Sequence, residues 1–265
     1  INIASVCWDE QSSYSRGPAQ APPLIRKAFN SPSSNTWSET GIDLGRPDLL
    51  RDMGDISFST GEKAVADIET KTSSIITDGN PLIILGGDHA LTWPVMRAFK
   101  KKYSSLALLH FDAHPDLYDN LAGNRLSHAC PFARIMEEKL TENLVQIGIR
   151  TINGIQKEQI DRFRVKTVPA WEVAPQMQLT FDLPLYISFD LDVLDPGFAP
   201  GVSHCEPGGL STRQVLDIIK RIEAPRIVGA DIVEYNPEND FGNMTAMVAA
   251  KILKEIGAQI ITSNE

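Results

Sequence analysis

The chain has only five histidines, and four of them, His89, His110, His114 and His128, fall between positions 89 and 128. Aspartates accompany them in three segments built alike, each an apolar run followed at once by residues able to bind a metal. These segments are Leu82–His89 (LIILGGDH), Leu108–Asp116 (LLHFDAHPD) and Ile187–Asp195 (ISFDLDVLD). Alternate residues of an extended chain point to the same side, so Asp112, His114 and Asp116 are expected to converge, as are Asp190 and Asp192. Several carboxylates desolvated together at the end of an apolar strand are costly unless a cation compensates them. The four aspartates Asp112, Asp116, Asp190 and Asp192, with the neutral imidazoles of His89 and His114, balance two divalent ions. Six residues serving two ions also require bridging carboxylates, which brings the ions close together. A mixed Asp/His set favours manganese, with zinc, iron or nickel admissible.

Taken singly, each segment has an ordinary reading. An Asp-x-Asp at a strand end is commonly a cap or turn former, and Gly-Gly-Asp-His is commonly a tight turn. The metal reading comes from finding all three on consecutive strand ends of one sheet. His110 shares the parity of Asp112 and reads either as a group supporting that ligand or as a buried, hydrogen-bonded core histidine. Cys130 has no base specifically placed to make it a nucleophile.

Apolar, β-branched runs predict strands at Leu82–Leu85, Leu106–Phe111, Leu144–Ile149, Leu185–Leu191 and Arg226–Ala230. Helical stretches are predicted before, between and after them at Glu62–Ile76, Thr92–Tyr103, Gln156–Phe163, Thr212–Ile222 and Met244–Ile256, with Ser211 as an N-cap. That alternation predicts an α/β fold in one domain spanning 1–265, a mostly parallel sheet with helices on both faces. The stretch Pro196–Gly209 is too rich in Gly and Pro for either element and carries His204. It starts where a buried strand ends, and in parallel sheets ligands sit outside the carboxyl ends of strands.

Composition narrows the partners. Twenty-five basic against thirty-four acidic residues give a net charge of −9, which argues against nucleic acid or an anionic membrane and suits a small cation. Hydrophobic residues at 42% and charged residues at 22% exclude disordered and collagen-like classes. The three cysteines stand in no C-x-x-C spacing, so a reducing compartment, the cytoplasm, is expected. No apolar run is long enough to span a bilayer, and no G-x-G-x-x-G follows a strand.

Taken together, GGDHA at 86–90, DAHPD at 112–116, SHACPF at 127–132, SFDLDVLDP at 188–196 and DIVEYNP at 231–237 make the chain resemble the ureohydrolases. That family includes arginase, agmatinase and related guanidino-acid hydrolases. The resemblance covers most of the chain, and DAHPDLYD and GVSHCEPGGLS look closest to plant-type arginases and many bacterial agmatinases. It implies an arginase-like three-layer sandwich with two Mn2+ ions. One ion would be held by His89, Asp112, Asp116 and Asp190, the other by Asp112, His114, Asp190 and Asp192. It further implies Asp116 as proton donor to the leaving amine, His128 as proton shuttle and Glu234 as partner of the guanidinium. At the shuttle the chain reads His128-Ala129-Cys130-Pro131 where many relatives read His-Gly-x-Pro. The implied reaction releases urea and a primary amine, with agmatine slightly preferred to arginine, and a homotrimer or homohexamer is expected.

The segment Leu117–Leu126 follows the ligands directly and is expected to meet the substrate's far end. Asp119 could receive an amine there, and Asn120, Asn124 and Arg125 a carboxylate. His204 is expected either to line the cleft or to hydrogen-bond its own loop. A single-zinc amide hydrolase of deacetylase type and a non-catalytic paralogue are the alternatives from other classes; two bound ions would count against the first.

Overall fold

The computed structural model describes residues 1–174 and 176–264. Eight strands form one sheet in the order β2-β1-β3-β10-β8-β4-β5-β6, every neighbouring pair parallel. The strands are β1 (Asn2–Val6), β2 (Arg51–Asp55), β3 (Leu82–Gly86), β4 (Ala107–Phe111), β5 (Asn143–Ile149), β6 (Lys166–Pro169), β8 (Leu185–Asp190) and β10 (Ile227–Val233). Two short strands, β7 (Leu179–Thr180) and β9 (Ile222–Glu223), pair apart from it.

Alternation along the strands divides the core in two. Ile83, Leu85, Leu109, Ile187, Phe189, Ala230 and Ile232 pack on one face with α1 (Ala21–Phe29), α6 (Thr212–Ile219) and α7 (Met244–Asn264). Leu82, Ile84, Leu108, Tyr186 and Val228 face the other way, toward α2 (Lys63–Ile75), α3 (Thr92–Lys102) and α4 (Pro131–Glu137). Strands covered on both faces must be apolar throughout, which is why β3, β4, β8 and β10 read as nearly continuous hydrophobic runs. The remaining helix, α5 (Gly154–Phe163), links β5 to β6. No helix of the described residues is long and apolar enough to cross a membrane.

All five strands predicted from periodicity form, and so do the five helices, with shifted ends. Ser211 caps α6 in a reciprocal box with Gln214. Elements absent from the sequence reading include β1, α1 and α4. Strand β1 is short and buried, and α1 begins with Pro22 and Pro23 in its first turn, where the missing N–H groups cost nothing.

The strands β3, β10, β8 and β4 are adjacent in the middle of the sheet. Their carboxyl ends therefore open side by side, at one spot. Gly87 just past β3 packs so closely that a Cβ there would sit 1.9 Å from the Trp8 carbonyl oxygen, so only glycine lets the chain leave β3 under the β1 loop.

Candidate active site

Each expected ligand lies at or just beyond a carboxyl end, but the convergence arises differently from strand alternation. Strand β4 stops at Phe111, and 112–116 turns instead of extending. Asp112 Oδ1 accepts from the His114 backbone N–H at 2.5 Å, and Asp116 adopts a left-handed φ of 49°. Asp190 closes β8 and caps a 3-10 turn, Leu191–Val193, by accepting from the Asp192 N–H at 2.8 Å. Aspartate favours such turns because its short carboxylate bonds the backbone two residues on. The residues expected to converge therefore do so, but through a local geometry other than the strand alternation that predicted it.

Four ligand atoms meet around one point. The His89 Nδ1 lies 3.2 Å from Asp112 Oδ2, 3.3 Å from Asp116 Oδ2 and 3.1 Å from Asp190 Oδ2. A second group lies beside it, with His114 Nδ1 3.4 Å from Asp112 Oδ1 and 2.9 Å from Asp192 Oδ2. Asp112 thus offers one oxygen to each group, the geometry of a bridging carboxylate.

Whether these residues fit a metal is decided at His89. Its Nε2 lies 2.9 Å from Ser188 Oγ, and Ser188 donates its own proton to Asp231 Oδ1 at 2.7 Å. Ser188 must then accept from His89 Nε2–H, which leaves Nδ1 as a bare lone pair. That atom is fully buried, has no hydrogen-bond partner among the described residues, and faces three carboxylate oxygens. A metal cation reconciles those four electron-rich atoms; without one, burial is outweighed by the three carboxylates, which hold the His89 pKa well above its ordinary value. Asp231 is fixed in turn by Tyr186 and Thr92 hydroxyls, each at 3.0 Å. Such outer partners orient metal-binding histidines.

His110 resolves as a buried, hydrogen-bonded histidine that also supports Asp112. The Gln146 amide donates to its Nδ1 at 3.0 Å and to the Pro115 carbonyl at 2.7 Å, so Nε2–H is the donor to Asp112 Oδ2 at 2.7 Å. Its ring stacks on Phe132 with centroids 3.8 Å apart.

Beside the two groups stand His128 and Glu234. Glu234 lies one residue past β10 with a left-handed φ of 63°. Its Oε1 accepts from His128 Nδ1 at 2.8 Å and from the His89 backbone N–H at 2.9 Å. Two site carboxylates, Asp116 and Glu234, thus sit in a backbone region that non-glycine residues seldom occupy, a form of strain that collects at functional sites. Burial by itself would lower the His128 pKa, yet Glu234 outweighs it and raises the value to about 9.

A cavity of about 390 Å³ opens onto these groups. Asp116, Asp190, Asp192, His114, His128 and Glu234 form one end of it, and Tyr118, Leu121, Thr151, Ile152, Asn153 and Gln156 line much of the rest. No Lys or Arg is among its lining residues. The cavity is thus acidic at one end and neutral elsewhere. Its acidic end suits a cation.

This arrangement is shared with known proteins. The model of the Arginase family matches residues 1–258. The chain belongs to the arginase family. Arginase 1, mitochondrial, from Arabidopsis thaliana is 42% identical over 98% of the chain and 80% of its own length. An agmatinase from Bacillus anthracis is 35% identical over 77% of the chain and 73% of its length. Among solved structures, the arginase from Medicago truncatula superposes with a TM-score of 0.91 at 38% identity, covering 98% of this chain and 86% of that one. The arginase-family chain is accordingly a guanidino hydrolase with the arginase fold.

One expectation for this arginase-family chain needs correction. Asp119, Asn120, Asn124 and Arg125 do not face the cavity. Asp119 pairs with Arg125 at 2.5 Å and with the buried Arg134 at 3.0 Å, and Arg125 also pairs with Glu137 at 3.0 Å. Asn124 donates to Gln11 Oε1 at 3.0 Å, and Asn120 accepts from the Gly123 N–H at 3.1 Å. Opposite charges within a short loop satisfied one another. From that segment Tyr118 and Leu121 reach the cavity, joined by 151–153 from the end of β5. The latter carry no ligand-type signal in the sequence. His204 does line the cavity, its ring 5.0 Å from that of His128 and 5.7 Å from Tyr14. Cys130 is buried and does not line the cavity, and its thiol is pushed up to about 12 by that burial and by Asp116, which disfavours a thiolate.

Proposed function

We propose that this chain hydrolyses the guanidino group of a small cationic substrate to urea and a primary amine, with two Mn2+ ions. His89, Asp112, Asp116 and Asp190 would hold one ion, and Asp112, His114, Asp190 and Asp192 the other. The observation that carries this reading is the unpartnered Nδ1 of His89 among three carboxylate oxygens, at the acidic end of a cavity with no Lys or Arg among its described lining residues. A bound pair of divalent ions supplies a water acidic enough to be the nucleophile near neutral pH. The chain's own residues do the remainder. Glu234 receives the guanidinium, chiefly through Oε2, since Oε1 already accepts from His128 and His89. Asp116 lines the same end of the cavity and carries the proton to the departing amine, whose C–N bond breaks as the proton arrives. His128, charged at neutral pH by its contact with Glu234, exchanges protons with the surroundings.

Arginine is the first substrate to test, because similarity to the Arabidopsis arginase runs over nearly the whole chain. The Asn153 amide and the Tyr118 and Thr151 hydroxyls are neutral groups able to receive an α-carboxylate and an α-amine. Agmatine is the second reading, and the absence of Lys and Arg from the cavity favours it, since agmatine has no carboxylate to neutralise. Urea release from arginine, agmatine and guanidinobutyrate by the manganese-loaded protein separates them. Urea from none of the three would overturn the reading. The same proposal includes one catalytic domain over 1–265, a homo-oligomer as the working form, and the cytoplasm as the compartment that suits three unpaired cysteines.

A further inference from the structure

His128 is nearly sealed, with 7% of its surface exposed. Both ring nitrogens are engaged within the protein. Its Nδ1 meets Glu234 Oε1 at 2.8 Å, and its Nε2 meets Ser13 Oγ at 2.8 Å. A shuttle must release and collect a proton at a nitrogen that communicates with substrate or water. Nδ1 points inward at a buried carboxylate, which leaves Nε2, and Nε2 is covered by a hydroxyl. Ser13 is itself exposed and lines the same cavity as Asp116 and Glu234.

We propose that Ser13 is the proton-relay residue through which the Nε2 of His128 exchanges protons with the cavity. The inference rests on the guanidino-hydrolase reading. A hydroxyl suits the task because it both donates and accepts. When His128 is charged, Nε2–H donates to Ser13 Oγ, and the Ser13 proton is free to point into the cavity. In the transfer, the Ser13 O–H proton passes to the amine or to a water while the Nε2 proton passes to Oγ. The serine ends as it began, His128 ends neutral, and its Nε2 then accepts from the same hydroxyl. No covalent bond to Ser13 forms, and no other reactant is needed.

The loop bearing Ser13 is held at the distance this requires. Asp88, fully buried beside the ligand His89, accepts from the Gln11 N–H at 3.0 Å and from Ser12 Oγ at 3.3 Å. The His128 N–H donates to the Gln11 carbonyl at 3.1 Å, tying the loop to the histidine's own backbone. His204 is the other group near His128, at 5.0 Å between ring centroids, but no hydrogen bond joins the two among the described residues.

The test uses the manganese-loaded full chain in three forms: wild type, Ser13→Ala and Ser13→Thr. With Ser13→Ala, kcat for urea release should fall about 100-fold or more with KM within about twofold, the range of a lost proton-transfer contribution. Ser13→Thr, which keeps the hydroxyl, should recover most of the rate. Added imidazole should accelerate the alanine form and leave wild type unchanged, because a small base can replace a missing relay but not a misplaced ring. A kcat for Ser13→Ala within twofold of wild type would overturn the relay while leaving the hydrolase reading intact. So would a loss that neither threonine nor imidazole relieves, which would make Ser13 a structural prop. Wild type that releases no urea from any guanidino compound would overturn both.

Discussion

The carboxylate of Glu234 holds the backbone N–H of His89 at 2.9 Å, across 145 residues of sequence. The same Oε1 accepts from the ring of His128. One oxygen therefore fixes the start of the turn that carries His89 and orients the ring of His128. The proposed substrate partner and the proposed metal ligands are a single hydrogen-bonded unit, joined where β3 and β10 lie side by side.

Replacing Glu234 should accordingly disturb both functions at once. For Glu234→Gln, kcat/KM for urea release should fall at least about 100-fold, equivalent to about 2.7 kcal/mol, the scale of a lost hydrogen bond to a charged group. The His128 pKa should drop toward its ordinary value, which NMR titration of the ring would read. An unchanged His128 pKa would show that Glu234 does not govern it.

His128 also makes stability depend on pH in the metal-free protein. Its folded pKa of about 9 lies above the ordinary 6.5: burial opposes the charge and Glu234 more than restores it. The folded state thus binds this proton more tightly than the unfolded chain. The stabilisation is fully present below about pH 6.5 and is lost as pH rises through about 9. Urea denaturation midpoints measured across that window should decline more steeply in wild type than in His128→Asn, and parallel curves would refute the assignment.

Metal should stabilise the fold, and most at neutral to alkaline pH. Burial, together with neighbouring Asp112, raises Asp192 to about 6, and burial with Asp192 and Asp112 raises Asp190 well above its ordinary value. In the metal-free protein, ionising these aspartates above their unfolded pKa opposes folding, an effect that reaches full size above the folded values. At a hundredfold excess of Mn2+ over its Kd, the linkage gain is about 2.7 kcal/mol for one site. For a chain of this size that is a rise in Tm of about 5–10 °C. Scanning fluorimetry with manganese at about pH 8 should show it, and at about pH 5 it should largely vanish; equal shifts at both would contradict a carboxylate site.

The chain His89–Ser188–Asp231 should set metal affinity without touching substrate. Ser188→Ala removes the acceptor of His89 Nε2–H and frees the ring to adopt the wrong tautomer. Affinity for Mn2+, read by competition with a chelator dye, should weaken about 10- to 100-fold. Unaltered affinity would show that packing against Phe132 alone orients His89, whose ring lies 5.2 Å from that side chain.

How much of this was legible beforehand follows from the range of each interaction. Strands β3, β4, β8 and β10 announced themselves because a doubly covered strand must be apolar at every position, a requirement written into consecutive residues. The six expected ligands were visible for a related reason, since acidic residues directly after such runs are costly without a cation. Glu234 was not visible in that way. It follows a strand like many surface charges, and only the family resemblance singled it out.

What tertiary structure alone decided lies where partners are distant or conformations are special. The left-handed backbone of Asp116 and Glu234, the Ser13 contact with His128 across 115 residues, and the lining by 151–153 leave no local pattern. Charges in Leu117–Leu126 looked ready for substrate, but Asp119 and Arg125 were taken by each other and by Arg134 and Glu137. Composition and spacing determined that the chain would place aspartates and histidines at the ends of buried strands. Which of its other polar residues would face the cavity depended on who else lay within hydrogen-bonding reach once the sheet had brought those ends together.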